Sequence, residues 1–305
     1  MADPNWSDAQ WQKVKDAVSD AFKASVAAEF LTGFRSVMGG AEIARNERLI
    51  ETLGIPPTIS LDRDHDAVNL KFVNVTVNVE LTSEQVADET LWNALLAFKR
   101  AANILALQQD LIVFAGYSRG FIQENSRFVV NQVQPQRGLA DLPARHRLFD
   151  AVRTPAGGTV GQGLVTAVVT ATGNLERRSN PGPFTCVLGD ELYNAAHTPA
   201  PSLALPADTI KELLKGGSLL RSAMIDPNTG IVVSTAANAV DLVIGTPPTA
   251  QFLQRQADGR FLFRVYERFV LRIRDDVTSP VAGFRIRPTA IEIGAEGDLI
   301  RILGF

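Results

Sequence analysis

The first clear pattern along the chain is that of an amphipathic helix close to the first residue. Apolar side chains recur there at helical spacing, and charged residues occupy the other faces. The apolar positions on this face are Trp11, Val14, Val18 and Phe22. Ser7 and Gln10 are spaced as a capping box, in which each side chain satisfies a backbone N–H at a helix start. We therefore predict a helix over 7–31 whose apolar face is covered by a core or by a partner.

A strand with one buried and one polar face is predicted next. Five aliphatic residues alternate with polar ones, the spacing that places one set on each side of a strand. They are Val73, Val75, Val77, Val79 and Leu81. The preceding residues 52–66 contain a glycine, adjacent prolines and a charged run, which is typical of an exposed excursion. A hairpin built from 45–75 needs a neighbour such as another chain, because two strands alone cannot bury a core.

The remaining patterns mix helices and strands without a regular alternation. A long helix is predicted over 89–114, where glycines at 116 and 120 close it. Further helices are predicted over 161–176 and 208–215, and further strands over 184–188, 230–235, 240–245, 261–274 and 283–293. Residues 131–163 are rich in proline and glycine, which indicates a domain edge. This order predicts an α+β fold rather than a doubly wound parallel sheet.

Composition narrows the class of protein. The chain has 305 residues, of which 46% are hydrophobic and 21% charged, enough to bury a core without disulfides or metal. Its 30 basic and 33 acidic residues leave a formal charge of −3, which argues against coating of nucleic acid. Cys186 is the single cysteine, no apolar run is long enough to span a membrane, and the first residues lack a signal-peptide pattern. We expect a soluble cytoplasmic protein.

One short motif matches a hydrolase signature. Gly116-Tyr117-Ser118-Arg119-Gly120 has the form G-x-S-x-G, which presents a nucleophilic serine on a strained turn. Its surroundings do not fit, because no clear helix start follows it and no His-Gly oxyanion motif precedes it. The histidines that follow, at 146 and 197, are both far from the chain end. A turn after a helix is the better interpretation, and a serine hydrolase using Ser118 is the less favoured alternative.

Other candidate sites are also better explained by structure than by chemistry. Asp62, Asp64 and Asp66 are spaced like the start of a calcium loop, but Ala67 replaces its glycine and Val73 its glutamate. The histidines are scattered, so we expect no metal site. Arginines between 260 and 274 are interleaved with acidic residues, which favours a salt-bridged sheet surface or a subunit contact over nucleic-acid binding. This shortage of catalytic groups favours a structural role over an enzymatic one.

Several segments together resemble the shell proteins of the encapsulin family. They run in order across residues 7–280, and their combination is more specific than any one of them. The segments are Gln10-Trp11, Asp110–Gly116, Gly182–Tyr193, Gly230–Thr235, Asp241–Gly245, Phe263–Glu267 and Leu271–Ile273.

The resemblance implies the fold of tailed-phage major capsid proteins, the Hong Kong-97 type. Residues 1–44 would form an N-terminal interior helix and its connection, and 45–75 an extended loop that reaches over a neighbouring subunit. The peripheral domain would comprise 76–135 and 255–280, the axial domain 136–254, and 281–305 a C-terminal extension that packs as strands.

The resemblance also implies a non-catalytic subunit of an icosahedral homo-oligomer with at least sixty copies. Such a nanocompartment encloses a cargo enzyme of the peroxidase or ferritin-like iron-oxidase class and admits small solutes through pores. No nucleic acid or membrane is implied as a partner. A flavin-stacking aromatic residue of some relatives aligns near Thr82, so no cofactor is implied.

Two sets of site residues are implied for this chain. A short C-terminal peptide of the cargo would dock in an apolar groove. The groove residues are Phe22, Val26 and Leu31. The pore-loop residues are His197, Pro199, Pro201 and Ser202.

The sequence departs from the family at two places. Relatives carry Gly-Arg where this chain has Ala28-Glu29, and an acidic pair where it has Gln108-Gln109. A viral or prophage major capsid protein of the same fold is the alternative interpretation. The balanced charge and the missing scaffolding segment argue mildly against it.

Overall fold

The computed structural model describes residues 4–31, 36–37, 43–44, 48–52, 58–62, 70–117, 129–130, 136–140, 147–153, 158–200, 204–236, 239–274 and 280–287. The helices are α1 (Asp8–Phe22), α2 (Val26–Phe30), α3 (Ser83–Ala87), α4 (Trp92–Ala115), α5 (Val160–Arg177), α6 (Asp190–Ala196) and α7 (Pro206–Leu213). The strands are β1 (Ser36–Val37), β2 (Ile43–Ala44), β3 (Arg48–Thr52), β4 (Thr58–Asp62), β5 (Leu70–Lys71), β6 (Val73–Leu81), β7 (Gly116–Tyr117), β8 (Val129–Val130), β9 (Gln136–Arg137), β10 (Arg147–Arg153), β11 (Phe184–Leu188), β12 (Leu219–Arg221), β13 (Thr229–Ser234), β14 (Val240–Arg255), β15 (Phe261–Ile273) and β16 (Val281–Arg287).

The first sheet carries the long helix α4, which we call the spine helix. Its described strands lie in the order β1-β14-β15-β6-β8. β15 pairs antiparallel with β6, from Phe261 opposite Leu81 to Phe269 opposite Val73. Along most of β15 buried and half-buried positions alternate, so apolar side chains face the core while Arg264 lies on the other face. α1 and the spine helix pack against this sheet.

The second sheet is assembled from distant parts of the chain. Its described strands lie in the order β10-β16-β13-β11-β12, with β16 parallel to β10 and antiparallel to β13. All residues of β11 are buried, as expected of a strand in the interior of a sheet. α5 packs against β16, β10 and β13, and α6 and α7 pack against α5.

Two large hydrophobic cores lie among the described residues. The first combines side chains of α1, the spine helix and the first sheet with one face of the second sheet, including Val187, Ile231 and Val281. The second combines α5, α6 and α7 with the other face of the second sheet. Aromatic rings lie at the centre of the first core: the Phe263 centroid is 5.0 Å from that of Trp6 and 5.4 Å from that of Phe98. The Trp6 indole N–H donates to the Val86 carbonyl at 2.9 Å, so this ring is buried without losing its hydrogen bond.

The single helix predicted over 7–31 is wrong, because it is two helices with a break at residues 23–25. The capping box of Ser7 and Gln10 is confirmed at the start of α1. Ser25 begins α2 in the same way, since it is extended and its hydroxyl accepts from the Ala28 N–H. A continuous helix would place Ser25 in a helix interior, where it could not act as this cap.

The other predicted elements agree with the structure apart from their ends. The strand over 73–81 is confirmed, and the spine helix begins at Trp92 because Leu91 has a φ of 57°, outside the helical region. The strand predicted over 240–245 continues to Arg255. It accommodates Pro247 and Pro248 by shifts in its register with β15, as prolines in sheets require. β16 accounts for part of the strand predicted over 283–293, and residues 288–293 lie outside the described residues.

The predicted hairpin region 45–75 contains a short antiparallel pair of strands. β3 pairs with β4 from Arg48 opposite Asp62 to Thr52 opposite Thr58, and β2 pairs with β5. The intervening residues 53–57 and 63–69 lie outside the described part of the chain. The domain boundaries inferred from the sequence stay predictions.

The C-terminal end of the spine helix is covered by residues 138–140. Leu139 and Ala140 donate their backbone N–H groups to the carbonyls of Val113 and Phe114, each at 2.8 Å. These are carbonyls that a helix end leaves without an intrahelical partner. Gly138 permits this approach, because a Cβ there would lie 2.3 Å from the Phe114 carbonyl oxygen.

We predict that Gly138→Ala destabilises the chain by about 2 kcal/mol, because the added methyl group meets backbone that must move. Gly173→Ala is the matched control, since a Cβ at this position in α5 meets nothing within 4 Å. Alanine in place of glycine within a helix should stabilise the chain by about 0.5–1 kcal/mol. Chemical denaturation of the two variants measures both effects, and equal stabilities would contradict the close contact at Gly138.

Candidate assembly and docking surfaces

The three predicted groove residues lie together at the start of the chain, beside the spine helix. Phe22 ends α1 and Leu31 follows α2, and their side chains are only 5% and 2% exposed within the first core. Val26 opens α2 and is half-buried. The sequence analysis missed Phe30, whose ring stacks on Phe114 of the spine helix with centroids 6.2 Å apart. The docking role of these residues stays a prediction.

A buried polar cluster positions α2 on the spine helix. One carboxylate oxygen of Asp110 accepts from the Ala27 N–H at 2.8 Å, and the other accepts from the Val26 N–H at 3.0 Å. The Ser25 hydroxyl lies 2.8 Å from Asp110 Oδ1 and 2.7 Å from Gln109 Oε1. Asp110 is therefore a helix cap supplied by another helix, and it satisfies donors that α2 cannot satisfy internally. We call Ser25, Gln109, Asp110 and Glu267 the cap cluster.

The cap cluster is electrostatically unusual because it lies in the protein interior. Gln109 is fully buried, and Asp110 is 2% exposed. Burial raises the pKa of Asp110 to about 6, while hydrogen bonds from Ala27, Ser25 and Val26 act in the opposite direction. The sequence did carry a signal for this site, since Gln108, Gln109 and Asp110 are consecutive polar residues in an otherwise apolar stretch of helix.

An apolar stripe is exposed on the spine helix. Its members share one helical face and point away from the buried residues: Trp92, Leu96 and Leu107. Trp92 is 76% exposed and Leu96 65% exposed, which is unusual for such large apolar side chains in the folded chain. We call these residues the outer stripe. The sequence analysis identified the buried face of this helix but not this second one.

The hairpin of β3 and β4 also presents apolar surface. Ile59 on β4 is 71% exposed, and its neighbours Thr58 and Ser60 are exposed as well. Two paired strands do not bury a core of their own. The hairpin thus has the character of an element that another surface covers.

The predicted pore loop is only partly described. His197 directly follows α6 and is exposed. Its Nδ1 lies 2.9 Å from the Tyr193 carbonyl oxygen, and the centroids of the His197 and Tyr193 rings are 4.4 Å apart. Pro199 is exposed. Pro201 and Ser202 lie outside the described residues, and the pore stays a prediction.

Three arginines in and beside β15 have acidic partners within the chain, and the partner of two of them, Asp241, is buried rather than on the predicted sheet surface. Arg260 lies 3.4 Å from Glu80. Arg272 and Arg274 both contact Asp241, each at 2.6 Å, and Asp241 is completely buried. A buried carboxylate held by two guanidinium groups fixes β14 against β15.

The other motifs singled out in the sequence add no chemistry in the described residues. Gly116 and Tyr117 pair with β9, while Ser118, Arg119 and Gly120 lie outside the described part, as do Asp64 and Asp66. Within that part, no group of three or more His, Cys, Asp or Glu residues could hold a metal ion. Cys186 is buried, which raises the pKa of its thiol far above the usual range. No helix among the described residues has both the length and the apolar character needed to cross a membrane.

Comparison with known proteins shows which protein families this chain resembles. Residues 149–270 match the Linocin_M18 family model, described as encapsulating protein for peroxidase. Over 179 residues the chain is 28% identical to the Type 1 encapsulin shell protein EncA of Myxococcus xanthus (strain DK1622). Over these parts of its length the chain is similar to encapsulin shell proteins. The alignment covers 57% of this chain and 54% of that relative, about half of its length.

Solved structures are similar to this chain over most of its length and show its fold. A virus-like particle from Pyrococcus furiosus has a TM-score of 0.64 at 13% identity, covering 90% of this chain and 99% of the other. The capsid of Myoviridae Phage XM1 has a TM-score of 0.58 at 14% identity, covering 85% of this chain and 91% of the other. The predicted α+β fold of tailed-phage capsid proteins is therefore confirmed.

The buried ion pairs of β14 and β15 give a prediction on stability. Asp241→Asn should destabilise the chain by about 3–5 kcal/mol, because it removes the carboxylate that compensates a buried arginine. Asp258→Asn is the matched control, since Asp258 and Arg260 are both about half exposed and such a pair contributes less than about 1 kcal/mol. Thermal unfolding of both variants measures the difference, and a mild effect of Asp241→Asn would show that the buried pair is dispensable.

Proposed function

We propose that this chain is a structural shell subunit that self-assembles into an icosahedral encapsulin nanocompartment in the cytoplasm. The match of residues 149–270 to a family of encapsulating proteins is the observation that carries the proposal. The capsid fold supports it, because that fold recurs in proteins that form closed particles. The proposed role is non-catalytic.

Two exposed surfaces support self-assembly. The outer stripe leaves Trp92 and Leu96 in water, and the β3–β4 hairpin leaves Ile59 in water. Exposed large apolar groups of this kind mark surfaces that a partner covers. A neighbouring copy supplies such a partner without any further component, and a closed symmetric shell covers every copy equally. The hairpin is the proposed extended loop that reaches over the neighbour.

The shell is proposed to enclose a cargo enzyme of the peroxidase or ferritin-like iron-oxidase class. The docking peptide of the cargo would contact Val26 directly, because Val26 is half-buried whereas Phe22 and Leu31 are packed in the core. Phe22 and Leu31, which are buried, would then form the floor of the groove beneath Val26. His197, Pro199, Pro201 and Ser202 are the proposed rim of a pore for small solutes.

The alternative is a viral or prophage major capsid protein. The similarity to the capsid of Myoviridae Phage XM1 favours it as much as it favours a shell, since both use one fold. The contents of the particle separate the two functions. A nanocompartment should contain protein cargo or be empty, whereas a capsid packages nucleic acid, which its ultraviolet absorbance reveals.

We predict that the purified chain elutes as a particle of about 2 MDa or more, since a closed icosahedral shell needs sixty subunits of 33.0 kDa or a multiple of that number. Light scattering on a gel-filtration column measures this mass.

Deleting residues 55–66 should abolish assembly and leave a soluble, partly folded subunit. Trp92→Ser should also weaken assembly, and it should leave the helical content unchanged because Trp92 is 76% exposed.

A subunit-sized species from the unaltered chain would contradict the proposed assembly. Intact particles from the 55–66 deletion would instead contradict only the extended-loop assignment. Val160→Ser is a matched control for Trp92→Ser, because Val160 is an exposed apolar residue at a helix start outside the outer stripe.

Ser118→Ala tests the serine-hydrolase alternative. We expect the variant to assemble normally and to retain every measurable property, because Ser118 has no catalytic role in a shell subunit. Labelling of the unaltered chain, but not of this variant, by a fluorophosphonate probe would contradict that expectation.

A further inference from the structure

The cap cluster contains a chain of three hydrogen-bond contacts between two buried carboxyl groups. Asp110 Oδ1 lies 2.8 Å from the Ser25 hydroxyl, which lies 2.7 Å from the side-chain amide of Gln109. The other end of that amide lies 3.3 Å from Glu267 Oε2 on β15. The chain therefore links α2, the spine helix and the first sheet through side chains that are almost completely buried.

The two neutral side chains of this hydrogen-bond chain, Ser25 and Gln109, do not supply enough protons for its three contacts. Ser25 has one hydroxyl proton, and the amide of Gln109 can donate at one end and accept at the other. These two donors serve two contacts, so the third contact needs a proton from a carboxyl group. Reversing the amide changes which carboxyl group must supply it but does not change the count.

With the amide oriented as in the structure, its Nε2 towards Glu267, the proton belongs to Asp110. As an acid it donates to Ser25, Ser25 donates to Gln109, and Gln109 donates to Glu267. As a carboxylate it accepts the hydrogen bond of the Ser25 hydroxyl. Two acceptor oxygens, Ser25 Oγ and Gln109 Oε1, then face each other at 2.7 Å without a proton between them. Such a contact between buried acceptors is unfavourable.

We propose that Asp110 is a proton-dependent clamp: its acid form completes the hydrogen-bond chain and holds α2 on the spine helix, and its ionisation loosens α2. The proposal does not depend on shell assembly. It makes the N-terminal segment sensitive to pH through a group that solvent does not reach directly.

The titratable groups around Asp110 are compatible with this role. Glu267 faces it from β15 through Gln109, Glu29 on α2 is exposed, and Asp20 and Lys23 at the end of α1 form an exposed pair. Burial raises the pKa of Asp110 to about 6, so the ionisation falls in a mildly acidic range. Because folding raises the pKa of Asp110, its acid form contributes its full stabilisation below the pKa of an aspartate in the unfolded chain. This contribution is lost as the pH rises through about 6.

Hydrogen exchange of the Val26, Ala27 and Ala28 amides in the full chain tests the clamp. After correction for intrinsic exchange, we expect opening of α2 to become about tenfold more frequent between pH 5 and pH 7. Asp110→Asn cannot titrate and should lose this dependence, although it also loses one backbone hydrogen bond. The α2 amides should therefore be better protected from exchange in the unaltered chain than in this variant, and the difference in protection should shrink as the pH rises. A difference that grows with pH would overturn the proposal, because it would make the carboxylate the stronger cap.

Infrared spectroscopy supplies a readout that does not depend on stability. The difference spectrum between the unaltered chain and Asp110→Asn should contain the carbonyl band of a protonated acid at pH 5.5, and the band should disappear at pH 7.5. Ser25→Ala should change the frequency of that band, because it removes the hydroxyl to which the acid donates. Asp241→Asn is the control, since a carboxylate held by two arginines should give no such band. Absence of the band for Asp110 at both pH values would overturn the proposal.

Discussion

Backbone groups from two distant segments find their hydrogen-bond partners at the C-terminal end of the spine helix. Asp110 accepts from the first N–H groups of α2, and the last carbonyls of the spine helix accept from Leu139 and Ala140. Both sets of groups would otherwise be buried without partners, which is costly in a protein interior. The path of the chain before the first sheet and its path towards the second sheet are therefore both tied to this one helix end.

The packing of the spine helix explains why the outer stripe is exposed. The spine helix uses one face for the first core and supports α2 at its end, so the outer stripe lies on the face that the described residues leave uncovered. The arginines in and beside β15 are, by contrast, engaged within the chain by Glu80, Gln251 and Asp241. Charge in this region thus stabilises the sheet itself.

The sequence predicts most elements because each has a local signal. The alternating valines of β6 and the capping box at Ser7 depend only on nearby residues, and both are present in the structure. The break between α1 and α2 could not be predicted in this way, since part of its cause is Asp110, some 85 residues further along the chain. The outer stripe was missed for a related reason: Trp92 and Leu96 look like core residues until the rest of the fold shows which face is covered. Family resemblance supplied the capsid fold, which periodicity alone could not.

The order of strands in the second sheet has a consequence for how the chain folds during synthesis. β16 lies between β10 and β13, yet it is the last of the described strands to be made. Until residues 281–287 leave the ribosome, β10 lacks its parallel partner and β13 presents an open edge. The sheet is therefore completed only late in translation, after every other described strand has been made.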